Sequence, residues 1–216
     1  MKVRGRLLII AASFLILIGG ELVLFSLQEL YAQEKKNNDS LAQAQERIQR
    51  EMNKESKSVL QTEHPIDVSF EQGEAIGIFK IPRLKAELPI IEGTDEDELD
   101  KGVGHYSTTV FPGQHDQILL SGHRDTVFRS LSELEIGDIF QVSMPYGEFT
   151  YVITDSKIVD PDDTTVIRST APEEILTVST CYPFSYVGNA PSRYILNAKN
   201  SKLRGTSKGK CPFYCI

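Results

Sequence analysis

Residues 117–122 read Gln-Ile-Leu-Leu-Ser-Gly, and residues 175–181 read Ile-Leu-Thr-Val-Ser-Thr-Cys. Each stretch is an apolar run of strand length, and each leads directly to a reactive side chain, His123 in the first case and Cys181 in the second. Pro183 ends the second strand soon after the thiol, because proline cannot donate to a sheet ladder. The two stretches therefore predict strands that present a histidine and a thiol at a rim of the fold, where rigid scaffolds commonly carry functional groups.

Further strands are predicted along the same half of the chain. They follow apolar or alternating patterns over residues 76–81, 88–91, 138–143, 148–159 and 193–198. Thr94, followed by acidic residues at 95–98, predicts a brief helix with a threonine cap and acids in its first turn. Short strands separated by Gly and Pro, with little helix, are typical of a closed or nearly closed barrel. We therefore expect a mainly β fold with short helices.

The N-terminus has the pattern of a membrane anchor. Three cations within the first six residues precede an apolar run over residues 7–27, which is long enough for a helix to cross the hydrocarbon core. The cations should stay inside, so the rest of the chain is expected outside. A cleaved signal peptide would end in a small-x-small site, and residues 30–32 match that pattern poorly. Residues 1–28 are therefore interpreted as a cytoplasmic tip and an uncleaved transmembrane anchor.

The remaining boundaries follow from shifts in composition. Residues 29–62 are rich in Glu, Lys, Gln, Asn and Ser and indicate a polar stalk, either a short solvated helix or a flexible spacer. Residues 63–200 form the predicted folded domain, and residues 201–216 a C-terminal tail. Cys211 and Cys215 in this tail indicate a local disulfide or a disordered appendage, because a zinc site needs more ligands.

Composition excludes several classes of function. A net charge of −7 argues against a nucleic-acid partner, because phosphate binding needs a basic surface. Three cysteines are too few for a disulfide framework, and without a C-x-x-C motif a thiol–disulfide function ranks last. The acidic residues at 95–100 lack the spacing of a Ca²⁺ loop and are explained by the helix start. No metal and no cofactor are predicted.

The residues that can carry chemistry are Cys181, His123 and Arg193. A free thiol is mostly protonated at neutral pH, and a nearby cation such as His123 or Arg193 favours the nucleophilic thiolate. Arg193 also offers a rigid fork of donors for an oxyanion or a substrate backbone. A single cysteine after an apolar strand is, however, often a buried small hydrophobe, and a single histidine is often structural. The residue types alone leave both interpretations open.

Three segments carry a resemblance that favours catalysis. Ser121–Thr126 (SGHRDT), Thr177–Phe184 (TVSTCYPF) and Tyr186–Leu196 (YVGNAPSRYIL) resemble the signature segments of sortases, most of all class D sortases. The similarity runs from about residue 76 to residue 198 and keeps the order His, Cys, Arg. The family's common TLxTC appears here as TVSTC, with Val178 in place of Leu.

The resemblance implies a closed eight-stranded β-barrel and a specific reaction. It implies a transpeptidase that cleaves an LPXTG-like sorting signal after its Thr and joins the surface protein to an amine of the peptidoglycan precursor lipid II. Cys181 is then the nucleophile, His123 the general acid/base and Arg193 the oxyanion or substrate stabiliser. The implied location is the cell membrane of a Gram-positive bacterium, with the domain outside. A hydrolytic cysteine peptidase and a non-catalytic peptide-binding adaptor remain the alternatives.

Other residues have secondary roles in this interpretation. The region 21–75 lacks an Asp-Pro-aromatic lid, which favours attachment to the cell wall over pilus assembly. Asp125 lies two residues from His123 and is a possible orienting carboxylate, although a loop-fixing role is favoured. His105 is expected to be a structural or rim residue. His64 and His115 are expected to be exposed.

Overall fold

Eight strands close into one barrel, as the resemblance implies. The computed structural model of the chain describes residues 2–55, 68–185 and 188–201. The strands are β1 (Ala75–Ile81), β2 (Ala86–Glu92), β3 (Val103–His105), β4 (Gln117–Gly122), β5 (Ile139–Met144), β6 (Gly147–Val159), β7 (Ile175–Tyr182) and β8 (Ser192–Asn200). Around the barrel they follow the order β1-β2-β3-β4-β7-β8-β6-β5. The helices are α1 (Lys2–Glu55) and the short α2 (Glu96–Leu99), with 3₁₀ turns at Pro82–Leu84, Leu131–Glu133 and Thr164–Val166.

Two of the eight neighbouring strand pairs run parallel, and one of them forms part of the site. β2 and β3 are parallel, and so are β4 and β7, whereas the other neighbouring pairs run antiparallel. The barrel interior is filled by side chains, and its largest fully buried ones include Tyr151, Phe79, Phe128 and Phe140. The rings of Phe79 and Phe140 lie 5.0 Å apart, centroid to centroid. Aromatic burial of this kind is a major part of the free energy that stabilises a small barrel.

Most strands lie where the sequence predicts them, with two differences. The predicted strand at 117–122 matches β4, which is buried on nearly every residue. The strand β3 was not predicted, because three residues are too few to show a period. The strand β7 extends through Cys181 to Tyr182, so the thiol lies within a paired strand, one residue before its end.

The brief helix after β2 starts later than expected. Its N-cap is Asp95, not Thr94, and the cap makes no side-chain hydrogen bond to the helix. The Asp95 carboxylate instead accepts from Gln72 Nε2 at 2.9 Å. The acids at 96–98 do occupy the first turn, as predicted. The expected threonine cap was wrong because the next residue, Asp95, takes the N-cap, a position where Asp is favoured over Thr.

The polar segment after the apolar run is not a free spacer. Helix α1 continues without a break over 54 residues, and its second half packs against β1 and β2. Ala44 is fully buried there, and Leu41 and Ile48 are half-buried against the same strands. These three residues recur at helical spacing, so they form a narrow apolar stripe on an otherwise polar helix. Over residues 29–55 the expected short solvated helix or flexible spacer is therefore corrected to a helix docked on the barrel. Residues 56–62 of the predicted stalk lie outside the described residues. His64, Cys211 and Cys215 lie outside the described residues.

Candidate active site

The three candidate residues lie at one end of three adjacent strands. Cys181 on β7 and Arg193 on β8 are direct partners in the antiparallel ladder. On its other side β7 runs parallel to β4, with Thr180 level with Gly122. His123 follows Gly122 and is therefore level with Cys181. The fold thus brings together three residues that are widely separated in sequence.

The thiol lies on the outer face of the barrel wall. Leu176 and Val178 point into the core, so by the two-residue period of a strand Ser179 and Cys181 face the other way. Residues directly opposite each other in an antiparallel pair share a face, so Arg193 is on the same side as Cys181. Cys181 is a free cysteine and is half-buried. A thiol in this position is supported by the sheet and still reachable.

Two sets of hydrogen bonds hold the strand end in place. The buried Thr180 donates its hydroxyl to the Gly122 carbonyl at 2.7 Å, which ties the residue before Cys181 to the residue before His123. Arg124 is 9% exposed and donates to the carbonyls of Pro183 at 3.1 Å and Gly188 at 2.8 Å. This guanidinium joins the loop after His123 to the loop after Cys181. Arg124 was not among the predicted site residues, and its position directly after His123 was the only available signal.

A groove of about 250 Å³ crosses this outer face. Its floor is formed by outward residues of the three strands, namely Leu119, Ser121, Ser179, Arg193 and Ile195. One wall is the loop between β6 and β7, which contributes Pro161, Thr164, Val166 and Ile167. The opposite wall includes Thr94 and Tyr106. Arg193 lies at the end of the groove nearest to Cys181, so an extended chain lying along the floor leads to the thiol.

A buried histidine–carboxylate pair lies next in sequence to the wall formed by Thr94 and Tyr106. His105 is 1% exposed, and its Nδ1 lies 2.7 Å from Glu92 Oε2. The same ring stacks on Phe111 at 4.5 Å. The pair joins the ends of β2 and β3. Of the two groove residues, Tyr106 directly follows His105, and Thr94 follows Glu92 after one residue. His105 was expected to be a structural or rim residue, and its burial and pairing with Glu92 favour the structural alternative.

The remaining candidates lie away from the groove. His115 is exposed, as expected. Asp125 is exposed in the turn after β4, and among the described residues its carboxylate forms no hydrogen bond with His123. Instead its backbone carbonyl accepts from Arg129 at 2.9 Å. Within the described part of the chain, no group of three or more His, Cys, Asp or Glu side chains is placed to hold a metal ion.

A carboxylate anchors the loop that forms the first wall. Asp116, just before β4, accepts from Ser169 Oγ at 2.9 Å and from the backbone amides of Gln117, Thr170 and Ala171. Burial opposes its ionisation, but the hydrogen bonds together outweigh that effect and lower the pKa of Asp116 below its ordinary value. The charged form therefore stabilises the connection between this loop and β4.

Comparison with known proteins identifies the family to which this chain belongs. A sequence model of the sortase domain matches residues 79–201, which include all eight strands except the beginning of β1. The chain belongs to the sortase family. Sortases are cysteine transpeptidases, and the matched region contains Cys181 and the whole groove floor.

Two curated sortases show how far the similarity extends. The chain is 58% identical over 129 residues to Sortase D of Bacillus subtilis (strain 168), which covers 60% of this chain and 65% of that protein. It is 30% identical over 160 residues to Sortase SrtE1 of Streptomyces coelicolor, covering 66% of this chain and 45% of the relative. The chain thus spans less than two thirds of the length of these two relatives.

Solved sortase structures share the barrel. A sortase D5 transpeptidase from Clostridium perfringens superposes with a TM-score of 0.63 at 24% identity, covering 77% of this chain and 98% of that one. The SrtA sortase from Actinomyces oris gives a TM-score of 0.57 at 27% identity, covering 67% and 92%. The closed eight-stranded barrel is therefore the sortase fold.

Proposed function

We propose that this sortase cleaves an LPXTG-like sorting signal after its Thr and transfers the surface protein to an amine of a peptidoglycan precursor such as lipid II. The observation that carries the proposal is that Cys181, Arg193 and His123 lie level at the ends of three adjacent strands, at the end of the groove that Arg193 lines. In this proposal Cys181 is the nucleophile, His123 the general acid/base and Arg193 the stabiliser of the oxyanion.

The reaction divides into two acyl transfers that share the same residues. The Cys181 thiolate attacks the Thr carbonyl carbon, and the peptide C–N bond breaks as His123 gives its proton to the leaving amine. The product of this half is a thioester between the Thr carbonyl and the Cys181 sulfur. The acceptor amine then attacks the thioester, His123 takes the proton from its nitrogen, and the thiolate leaves. The enzyme ends in its starting protonation state.

Arg193 serves the step at which negative charge appears. Each half-reaction passes through a tetrahedral centre whose oxygen carries a charge absent from the ground state. Arg193 is the direct cross-strand neighbour of Cys181, which supports a role for its guanidinium as a donor to the oxygen of the carbonyl that Cys181 attacks. Its one described hydrogen bond is a 3.2 Å contact with the adjacent Ser192 carbonyl. That contact leaves other donors of the fork for the substrate.

The groove supports an extended, partly apolar peptide. Leu119 and Ile195 on the floor, with Val166 and Ile167 on the wall, offer apolar contacts for residues such as Leu and Pro. Alternate side chains of an extended peptide point to opposite sides, which suits a groove with distinct walls. The four residues before the cleaved bond would therefore lie along the floor, with the Thr carbonyl at Cys181.

The location proposed is the outer face of the cell membrane, with a single span. In the part of the chain with described side chains, Ala12–Asn53 is the helix long and apolar enough to cross a membrane. Large apolar side chains of this helix, from Phe14 to Leu30, are exposed. Exposed apolar surface of this extent requires lipid or another partner. We assign it to the bilayer, with the cationic N-terminus inside.

Intact-mass spectrometry tests the proposed reaction. The chain from residue 29 onward, which keeps the docked half of α1, is mixed with an LPXTG peptide in the absence of an amine. The expected result is a mass gain equal to the peptide fragment ending in Thr, absent in Cys181→Ala and present in the groove variant Ser179→Ala. Adding amines should convert the adduct to amide products. Release by water alone across a panel of amines would indicate a hydrolytic peptidase, and no adduct across a panel of LPXTX peptides would contradict the proposal.

A further inference from the structure

Helix α1 contacts the barrel at several points along its length. Gln33 Nε2 donates to the Asp100 carbonyl at 2.6 Å, and Lys36 Nζ lies 2.9 Å from the Asp100 carboxylate. Further along, Ala44 is fully buried, and Arg47 forms an ion pair with Glu74. Because these contacts extend over four turns of one unbroken helix, the barrel cannot swing freely beneath the apolar segment.

The order of these contacts along α1 defines how the barrel is oriented relative to the helix. Leu30 and Gln33 face Leu84 and the loop after His123 across a groove of about 580 Å³. Arg47 meets Glu74, just before the start of β1, at the opposite end of the barrel. Helix α1 and β1 therefore run in opposite directions, and the part of α1 nearest its apolar segment lies beside the loop that follows His123.

Strand polarity places the candidate active site at this same end. β4 and β7 are parallel, and they end at Gly122 and Tyr182. β8 begins there, with Arg193 opposite Cys181. The rim that carries the proposed catalytic residues is thus the rim beside which α1 continues into its apolar segment.

The rise of helix α1 gives the distances of the two barrel rims from the bilayer. Gln33 lies six residues after Leu27, the last residue of the apolar run, which corresponds to about 9 Å of helix. From Gln33 to Arg47 the helix rises by about 21 Å, close to the height of a barrel of this strand length. With α1 upright, the Cys181 rim lies within about 15 Å of the bilayer and the opposite rim about 30 Å away.

We infer that α1 is a rigid strut that holds the Cys181 rim at the membrane surface, so that the enzyme selects sorting signals lying close to their own membrane-spanning segment. This inference rests on the proposed function. A membrane-held substrate whose cleavage site lies near the bilayer meets Cys181 at high effective concentration, whereas a site held well above the bilayer does not. The strut therefore acts as a specificity determinant that the groove alone does not provide.

The test uses the full chain in lipid vesicles with substrates anchored in the same bilayer. The substrates carry the sorting signal 3, 10 or 20 residues from a membrane span, and a soluble LPXTG peptide serves as reference. The wild type should favour the shortest spacing by about tenfold or more. Turnover of all three tethered substrates at equal rates would overturn the strut. Failure to turn over even the soluble peptide would instead count against the proposed function.

Two insertions after Gln28 distinguish a rigid helical connection to the membrane from a flexible one. Seven helix-forming residues add about 10 Å at nearly unchanged rotation, so the preferred spacing should move outward by about three extended residues. Seven Gly/Ser residues at the same place should abolish the preference, because a flexible joint no longer sets a height. Soluble-peptide turnover should be unchanged in both. An unshifted optimum in the helical insertion would overturn the inference.

A matched pair of substitutions tests the docking contact itself. Ala44→Glu places a carboxylate in the buried contact with β1, whereas Ala42→Glu places the same charge on the exposed side of the helix. The first should lose the spacing preference and the second should keep it. Energy transfer to labelled lipid headgroups gives a readout that does not depend on activity. In a background without the native cysteines, a dye at Asp125 should lie nearer the lipid than one at Ala171, and equal transfer from the two positions would contradict the proposed orientation.

Discussion

Cys181 and Arg193 face each other across neighbouring antiparallel strands, one residue from the end of β7 and one residue from the start of β8. The ladder fixes the distance between their backbones, so the relative position of thiol and guanidinium does not depend on a mobile loop. A site built on strands is positioned more precisely than one built on loops. The backbones of both residues are therefore held by the sheet itself.

The geometry of the Arg193 fork is predicted to matter more than its charge. Arg193→Lys keeps the charge but replaces a planar fork with a single ammonium group, so kcat should fall by about 10²-fold. Arg129→Lys, an exposed change in the loop after His123, should leave kcat unaltered. Single-turnover formation of the thioester measures the effect. A full rate in Arg193→Lys would remove Arg193 from the mechanism.

Arg124 is predicted to be a positioning residue. Arg124→Met removes the donors that join the loops after His123 and Cys181, so kcat/KM should fall by about 10- to 100-fold through misplacement. Arg124→Lys should recover part of that loss, because one of the two carbonyls can still be reached. Arg129→Met serves as the control, since its bond to the Asp125 carbonyl is local. A purely structural role would show as a lower Tm with kcat/KM unchanged.

Asp116 is predicted to make stability depend on pH in the acid range. Its pKa is lowered in the folded state, so the charged form contributes stability above the unfolded pKa of about 3.9, and this is lost as the pH falls through the lower folded pKa. Asp116→Asn should cost about 1–2 kcal/mol at pH 7 and progressively less below about pH 4. Urea unfolding at pH 7 and pH 3 measures both, with exposed Asp162→Asn as control. An equal cost at both pH values would contradict the assignment.

Glu174 is predicted to be the most costly carboxylate to remove. It is fully buried and accepts from the Tyr151 hydroxyl at 2.7 Å and from Asn200 Nδ2 at 2.8 Å. Burial, followed by the Glu174 charge, raises the pKa of Tyr151. Glu174→Ala removes the buried carboxylate that accepts both hydrogen bonds and should lower the free energy of unfolding by about 2–4 kcal/mol.

The adjacent residue supplies a control for that prediction. Glu173 is exposed and pairs with Lys199 at 2.6 Å, so Glu173→Ala should change stability by less than about 1 kcal/mol. Thermal unfolding of both variants should show the difference as a shift of about 2–4 °C per kcal/mol. Similar losses in the two variants would mean that burial of Glu174 is not the cause.

Much of the fold was predictable because its strands carry local signals. Apolar runs of strand length ending at Gly or Pro located β4 and β7 to within two residues, and the same runs pointed to His123 and Cys181. The three residues of β3 carried no such signal and were missed. Thr94 was assigned as a helix cap from local pattern alone, whereas the cap is the adjacent Asp95, whose carboxylate accepts from the distant Gln72.

The sequence by itself determined which residues are candidates, where most strands lie, and that an apolar segment precedes the domain. The tertiary structure alone decided that β7 lies between β4 and β8, that Arg124 bridges two loops, and that the polar half of α1 docks on the barrel. Strand register and helix docking depend on the sum of many contacts between residues far apart in the chain, and no local window of sequence contains that sum. Periodicity and turn residues act within a few positions of the chain. They therefore predict where a helix or strand lies better than they predict which other elements it packs against.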